Sequence, residues 1–185
     1  MTVPNVLTIL RILLTPLLVW LLLEGKMNWA LVVFIVAGIT DGLDGISARV
    51  FNQKSHLGAY LDPLADKILL MTTFVMLGRL GKVPDWLVII AVSRDAIILM
   101  GLMTLMFHNV EIKIKPSGLS KATTFMQLVS LLSALGGRYV KIPGSGCLVI
   151  FVTTAILTVV SGFHYIKIGF SLLDNRRGQG NGRQH

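Results

Sequence analysis

Asp41, Asp44, Asp62 and Asp66 stand at one tight spacing in a chain whose surroundings are apolar. The run reads Asp41-Gly42-Leu43-Asp44-Gly45-Ile46-Ser47-Ala48-Arg49 and, eight residues later, Gly58-Ala59-Tyr60-Leu61-Asp62-Pro63-Leu64-Ala65-Asp66. Carboxylates are costly in hydrocarbon and persist there when paired, metal-bound or facing a watery cavity. Nine acidic residues exist in the chain and four of them lie here, which points to one site. At about 100° per residue of helix, Asp44 falls about 60° from Asp41, with Gly45 and Ala48 on the same face. Asp62 and Asp66 are i, i+4 neighbours on one face of the next segment. Four carboxylates brought together need cations to stay ionised. An oxygen-only donor set, with no cysteine or histidine pair beside it, suits hard divalent ions, Mg²⁺ or Mn²⁺, and four carboxylates neutralise two of them.

Such a site is suited to phosphoryl-type transfer. Bound metal polarises phosphoryl oxygens, a carboxylate accepts the proton of an attacking hydroxyl, and Arg49 offers a guanidinium fork to phosphate oxygens. Gly45 and Ala48 leave room for a phosphate-bearing substrate. The plainer readings are that small residues let membrane helices pack closely and that Arg49 anchors a cytoplasmic helix end. The residues alone yield a metal-dependent, phosphate-handling, membrane-embedded protein, and no substrate.

The elements that must hold these residues are membrane helices. The chain has 185 residues, 54% hydrophobic and 14% charged, with mean hydropathy +0.74, whereas soluble domains carry about 25% charge. Six apolar segments, at 6–23, 29–50, 59–77, 86–107, 119–135 and 147–166, approach the length a spanning helix needs. The expected fold is an all-α integral membrane domain of six transmembrane helices over residues 1–173, followed by a polar tail at 174–185. The first apolar run is too long for a signal peptide, carries Arg11 early and has no small-x-small cleavage site, so it reads as a retained span. Placing both termini in the cytoplasm puts nine basic residues on that side against five on the other, the positive-inside arrangement. Trp20, Trp29 and Trp86 lie near span ends, as interfacial anchors do. The net charge of +8 is assigned to cytoplasmic loops and anionic lipid, not to nucleic acid. Cys147 is the single cysteine, so no intrachain disulfide forms.

The pattern Asp-x₂-Asp-Gly-x₂-Ala-Arg-x₈-Gly-x₃-Asp-x₃-Asp resembles the signature of the CDP-alcohol phosphotransferase family, with Asp41, Asp44, Gly45, Ala48, Arg49, Gly58, Asp62 and Asp66 at its fixed positions. The likeness extends from Pro4-Asn5-Val6-Leu7-Thr8 and Arg11 to Ser161-Gly162-Phe163-His164-Tyr165. It implies a six-helix membrane fold, a homodimer and a dimetal site facing the cytoplasm of a bacterial-type inner membrane. Asp41, Asp44, Asp62 and Asp66 are then metal ligands, and Asp66 is also the catalytic base. Gly45, Ala48, Arg49 and Gly58, with Asn5 and Thr8, are then the CDP-binding residues. The implied reaction is attack of an alcohol on the phosphorus of CDP-diacylglycerol that bears the diacylglycerol, releasing CMP.

The chain is most similar to the branch that makes glycerol-based anionic phospholipids, phosphatidylglycerophosphate synthases and CMP-forming cardiolipin synthases. The former often carry Ser-Arg-Glu with a second arginine on the fourth span and Gly-Lys-x-Lys-Thr on the fifth. Here stand Ser93-Arg94-Asp95, then Gly101, and Ser120-Lys121-Ala122-Thr123-Thr124. Glycerol 3-phosphate is the first expected acceptor, with phosphatidylglycerol as the alternative. Arg94 and Lys121 are the acceptor-binding candidates, Arg94 with the competing role of a structural pair with Asp95.

Lys67 reads as a neutraliser of the carboxylates, and Pro63 as a helix start or kink. His56, His108, His164 and His185 show no metal-ligand spacing. A divalent-cation transporter is the rival function class, since intramembrane acids mark ion paths; these acids, however, fall toward span ends beside Arg49. A degenerate, inactive family member fits poorly with four intact aspartates.

Overall fold

The computed structural model describes the backbone of residues 3–50, 56–107, 118–137 and 144–181, and the side chains of residues 8–40, 64–101, 103, 118–137, 144–165 and 167. Among them are six α-helices and no strand: α1 Val3–Leu23, α2 Met27–Val50, α3 His56–Arg79, α4 Asp85–Phe107, α5 Gly118–Leu135 and α6 Gly144–Asn181. Each expected apolar segment lies inside one helix.

Two helix ends are closed by the same device. Gly25 and Gly81 have φ of 69° and 65°, a region L-residues with side chains rarely adopt. Gly25 N–H bonds Leu22 O at 3.1 Å and Lys26 N–H bonds Leu21 O at 2.9 Å; Gly81 bonds Gly78 O at 2.8 Å and Lys82 bonds Leu77 O at 2.9 Å. This is the paired 6→1 and 5→2 pattern that satisfies terminal carbonyls. The chain reverses at once, so α1 and α2, and α3 and α4, run antiparallel. Asp85 opens α4, where a carboxylate favours the positive end of the helix dipole.

Two prolines lie inside helices. Pro16 lies inside α1, where the Thr15 hydroxyl donates to Arg11 O at 3.0 Å. α3 starts at His56, so Pro63 lies within the helix and is not its start. α6 runs on to Asn181, through the first part of the polar tail set apart at 174–185. No proline interrupts residues 167–181, and lengthening an existing helix is far easier than nucleating one.

α1 packs against α2 and α3, α3 against α4, and α4 and α5 against α6. The interior is divided. Toward the two glycine turns it is apolar, with Leu18, Leu22, Phe34, Phe74, Leu77, Leu87 and Leu131 buried. Toward the other end it is polar, with Thr8, Arg11, Arg94, Asp95, Thr123, Ser161 and neighbours buried. Ser130, Thr154 and Thr158 continue that polar seam between α5 and α6, through a 2.7 Å Ser130–Thr154 hydroxyl contact and Thr158 donating to Thr154 O at 2.6 Å.

The outer surface is the inverse of a soluble protein's. Leu13, Leu23, Ile89, Phe125, Val149 and Phe163 are all more than 60% exposed. Soluble monomers rarely present apolar surface on this scale. Gly144–Tyr165, 22 residues with mean hydropathy 2.2, is one helix long and apolar enough to cross a membrane; Thr8–Leu23 and Met27–Thr40 are shorter apolar stretches. Trp20, Trp29 and Trp86 are exposed at the end marked by the glycine turns, and Lys26 Nζ lies 4.8 Å from the Trp20 ring centroid.

Candidate active site

The polar end of the bundle holds the candidate site. α2 and α3 carry the aspartate signature as helix, with Asp41, Asp44, Gly45, Ala48 and Arg49 on the last turns of α2 and Gly58, Asp62 and Asp66 on the first half of α3. The side chains of Asn5, Asp41, Asp44, Arg49 and Asp62, and the surroundings of Gly45, Ala48 and Gly58, lie outside the described residues. Asp66 is the member of the quartet whose carboxylate is described.

That carboxylate is 34% exposed and forms an ion pair with Arg11 of α1, which is 1% exposed. Arg11 NH1 donates to Asp66 Oδ1. An arginine in an apolar segment needs such a partner, because an unpaired charge there is expensive. Thr8, also buried, precedes Arg11 by three residues and so shares its face of α1. The candidate nucleotide-binding position on α1 therefore neighbours the arginine that holds the candidate base.

Lys67 follows Asp66 but turns elsewhere. Its Nζ donates to Asp95 Oδ1 on α4 at 2.9 Å. Among the described residues its ion-pair partner is Asp95 and not Asp66; the side chains of Asp41, Asp44 and Asp62, the other carboxylates it is expected to neutralise, lie outside them. Consecutive helix positions point about 100° apart, so Asp66 and Lys67 face different neighbours.

Asp95 Oδ1 also accepts from Arg94 NH1 at 2.6 Å. Arg94 NH2 donates to Ser120 Oγ of α5 at 3.0 Å and to Ser161 Oγ of α6 at 2.8 Å. The Tyr165 ring lies 5.7 Å from Arg94 Cζ. Gly162 lies against Arg94, where a Cβ would sit 3.6 Å from Arg94 Cγ, an ordinary contact distance. Lys67, partly exposed, and the buried Arg94 and Asp95 thus form a cluster with two positive charges and one negative, joining α3 to α6. The structural pair of Arg94 with Asp95 is present, and Arg94 Nε is buried without a hydrogen-bond partner among the described residues. Lys121, the other acceptor-binding candidate, is exposed on α5 beside Ser120.

Sequence reasoning assigned no role to Arg11 and missed the Lys67–Asp95 link. The signal for the first was present: a lone arginine in an apolar segment must find an acid. The second required knowing which helix packs beside α3.

Among the described residues no three acidic, cysteine or histidine side chains converge. The donor chemistry of the quartet nevertheless fits a hard divalent cation, being carboxylate oxygen throughout. Asp66 adds that its carboxylate already has a cationic group beside it and one-third of its surface open.

A sequence model described as CDP-alcohol phosphatidyltransferase matches residues 1–167. A cardiolipin synthase (CMP-forming) of Rattus norvegicus is 34% identical over 91% of this chain and 61% of its own length. A protein of the same name from Streptomyces coelicolor is 36% identical over 68% of this chain and 60% of its own. A probable phosphatidylglycerophosphate synthase of Mycobacterium tuberculosis is 30% identical over 88% of this chain and 78% of its own. The chain spans about three-fifths of the length of the rat and Streptomyces relatives.

Proposed function

Because the chain belongs to the CDP-alcohol phosphatidyltransferase family, we propose that it is a membrane enzyme of phospholipid biosynthesis that transfers the phosphatidyl group of CDP-diacylglycerol to a glycerol-type hydroxyl. The oxygen–phosphorus bond forms at the phosphorus bearing the diacylglycerol, the bond to the bridging oxygen breaks, and CMP leaves with that oxygen. The observation that carries this reading is the Asp66 carboxylate, partly open to solvent at the polar end of the bundle and paired with a buried arginine.

Asp66 takes the proton of the attacking hydroxyl. Arg11 orients that carboxylate. Asn5, Thr8, Gly45, Ala48, Arg49 and Gly58 form the cytidine-diphosphate site, the glycines and alanine by leaving room and Arg49 by its fork of donors. Asp41, Asp44, Asp62 and Asp66 would hold divalent metal, Mg²⁺ or Mn²⁺, two ions by charge balance. When bound, the metal supplies charge to the phosphoryl oxygens and the departing CMP.

Phosphatidylglycerol is the acceptor the charge balance favours. A free phosphomonoester carries close to two negative charges, and a phosphodiester one. Arg94 already donates to Asp95, Ser120 and Ser161. Gly101 stands where a second arginine is expected, with no described residue within 4 Å of where its Cβ would lie. Among the described residues Lys121 is an exposed cation beside Ser120, with Arg94 contributing its field. The relatives named cardiolipin synthase support the same acceptor. Glycerol 3-phosphate is the second reading, supported by the 30% identical mycobacterial protein. The product is cardiolipin in the first case and phosphatidylglycerophosphate in the second.

The apolar exterior supports six membrane spans, and the basic-residue bias supports cytoplasmic termini and a cytoplasm-facing site in a bacterial-type inner membrane. A homodimer completes the reading. CMP release by purified protein with CDP-diacylglycerol, Mg²⁺ and each acceptor in turn tests it. Turnover with phosphatidylglycerol and little with glycerol 3-phosphate is expected. The reverse result selects the second acceptor, and no CMP release with any alcohol removes the class.

A further inference from the structure

Asp66 and Lys67 are adjacent in the chain and oppositely charged, yet each is held by a different helix: Asp66 by Arg11 of α1 and Lys67 by Asp95 of α4. Lys67 has a flexible four-carbon stem, and its side chain is 17% exposed. Without a partner it would seek the nearest acid. The described acidic side chains are Glu24, Asp66, Asp85 and Asp95. Glu24 follows the end of α1 and Asp85 opens α4, both at the apolar end of the bundle. Asp66 is therefore the remaining described carboxylate at the level of Lys67. Arg94, bound to the same Asp95 oxygen, would push a released ammonium away from α4.

We propose that Asp95 is a positioning residue that sequesters the Lys67 ammonium and so keeps the Asp66 carboxylate available to a divalent cation. The proposal rests on the reading of Asp66 as a metal ligand. It assigns Asp95 and Lys67 no contact with substrate. It also gives a reason for Arg94 beside Asp95: the arginine anchors the carboxylate to Ser120 and Ser161, so that the group gripping Lys67 is itself fixed to α5 and α6.

The test is Mn²⁺ binding to the full chain in detergent, followed by loss of the free-ion electron paramagnetic resonance signal, with thermal melting alongside. Asp95→Asn is expected to weaken Mn²⁺ binding about tenfold or more, the effect of one new charge within a few ångströms of an ionised site. Removing the competitor as well, in Asp95→Asn with Lys67→Met, is expected to restore binding to within about threefold of wild type, half a power of ten in affinity. A merely structural role moves the melting temperature of both variants and leaves no such recovery. Lys67→Met alone, which keeps the Asp95–Arg94 pair, should bind Mn²⁺ as wild type does. This variant decides the matter if Asp95→Asn does not fold, because tighter binding here means the ammonium was never sequestered. The proposal is overturned by unchanged Mn²⁺ binding in Asp95→Asn, by no recovery in the double variant, or by tighter binding in Lys67→Met. Asp66→Asn separates the two levels. If it binds Mn²⁺ like wild type, the metal-ligand reading fails; if it loses Mn²⁺ while Asp95→Asn does not, the positioning role alone fails.

Discussion

Arg11 and Asp66, separated by 55 positions in the chain, meet as an ion pair between α1 and α3. The arginine is buried and the carboxylate is partly open. This asymmetry suits the base role proposed for Asp66: the carboxylate is held by a charged donor, yet about one-third of its side chain stays open. The pair also ties the helix bearing Thr8 to the helix bearing half of the aspartate signature.

Removal of Arg11 is therefore expected to cost activity beyond its effect on folding. Breaking a buried pair by deleting one partner typically costs about 3–5 kcal/mol. The partial exposure of Asp66 places the stability loss at about 1–2 kcal/mol, between exposed and buried pairs. Arg11→Met should slow CMP release by about a hundredfold, in the range of a misplaced catalytic group. Arg11→Lys, which keeps the charge and loses the fork, should retain an intermediate rate. Initial rates with saturating CDP-diacylglycerol, set beside melting temperatures, distinguish the two contributions. Equal rates for wild type and Arg11→Met mean that Asp66 needs no orienting partner.

On the proposed reading, Asp66→Asn removes the base while preserving shape. The rate should fall by about 10²–10⁴-fold, the usual contribution of general base catalysis. Binding of CDP-diacylglycerol should remain close to wild type, because one ligand bond changes and the nucleotide contacts stay. Equilibrium binding of the nucleotide lipid, measured beside turnover, checks both halves. A near-normal rate moves the base to another residue.

The helices and the signature were legible in the sequence for the same reason: both are local. Apolar runs of spanning length and an i, i+3 or i, i+4 acid spacing depend on neighbours along the chain, and the helices enclose every expected segment. The ends were less legible. α6 runs past the apolar stretch into a polar one, where hydropathy gives no stop signal and no proline supplies one. Partnerships across helices were least legible. Lys67 reads as a partner for Asp66 in one dimension, but helix geometry turns it toward Asp95. Arg94 illustrates an intermediate case. Its pairing with Asp95 could be anticipated, whereas the two serines that complete its shell come from α5 and α6, 26 and 67 positions away.

Metal dependence is the next expectation. A carboxylate quartet without cations would repel itself. Chelation with EDTA should abolish CMP release, and Mg²⁺ or Mn²⁺ should restore it, while Ca²⁺, larger and less strict in geometry, should restore less. Activity that survives exhaustive chelation removes the metal from the reaction.

Lys121 offers a test of how the acceptor is held. It is exposed at the start of α5 beside Ser120, whose hydroxyl is committed to Arg94. If Lys121 contacts the acceptor phosphate, Lys121→Ala raises the acceptor KM about threefold to tenfold, matching the loss of one partly exposed charge contact. kcat and the KM for CDP-diacylglycerol should change little, the pattern expected when uniform binding is lost. Arg94→Lys should behave otherwise, lowering the melting temperature and kcat together, because a lysine cannot reach Asp95, Ser120 and Ser161 at once. A KM effect confined to Arg94→Lys would exchange the two roles.

The contact of α3 with α4 supplies a stability prediction independent of chemistry. A Cβ on Gly78 would lie 2.8 Å from Val88 Cγ2, too near for an ordinary contact. Gly78→Ala should destabilise the bundle by about 1–3 kcal/mol, the usual cost of overpacking, partly offset by the better helix propensity of alanine. Trimming the obstacle in Gly78→Ala with Val88→Ala should recover part of that loss, giving a non-additive pair of the kind found between touching residues. Gly78 lies at the glycine-turn end of α3, away from Asp66, so CMP release at temperatures well below melting should stay near wild type. Melting curves of the two single variants and the double variant decide it. Strict additivity would mean that Val88 is not what limits the approach of α4 to α3.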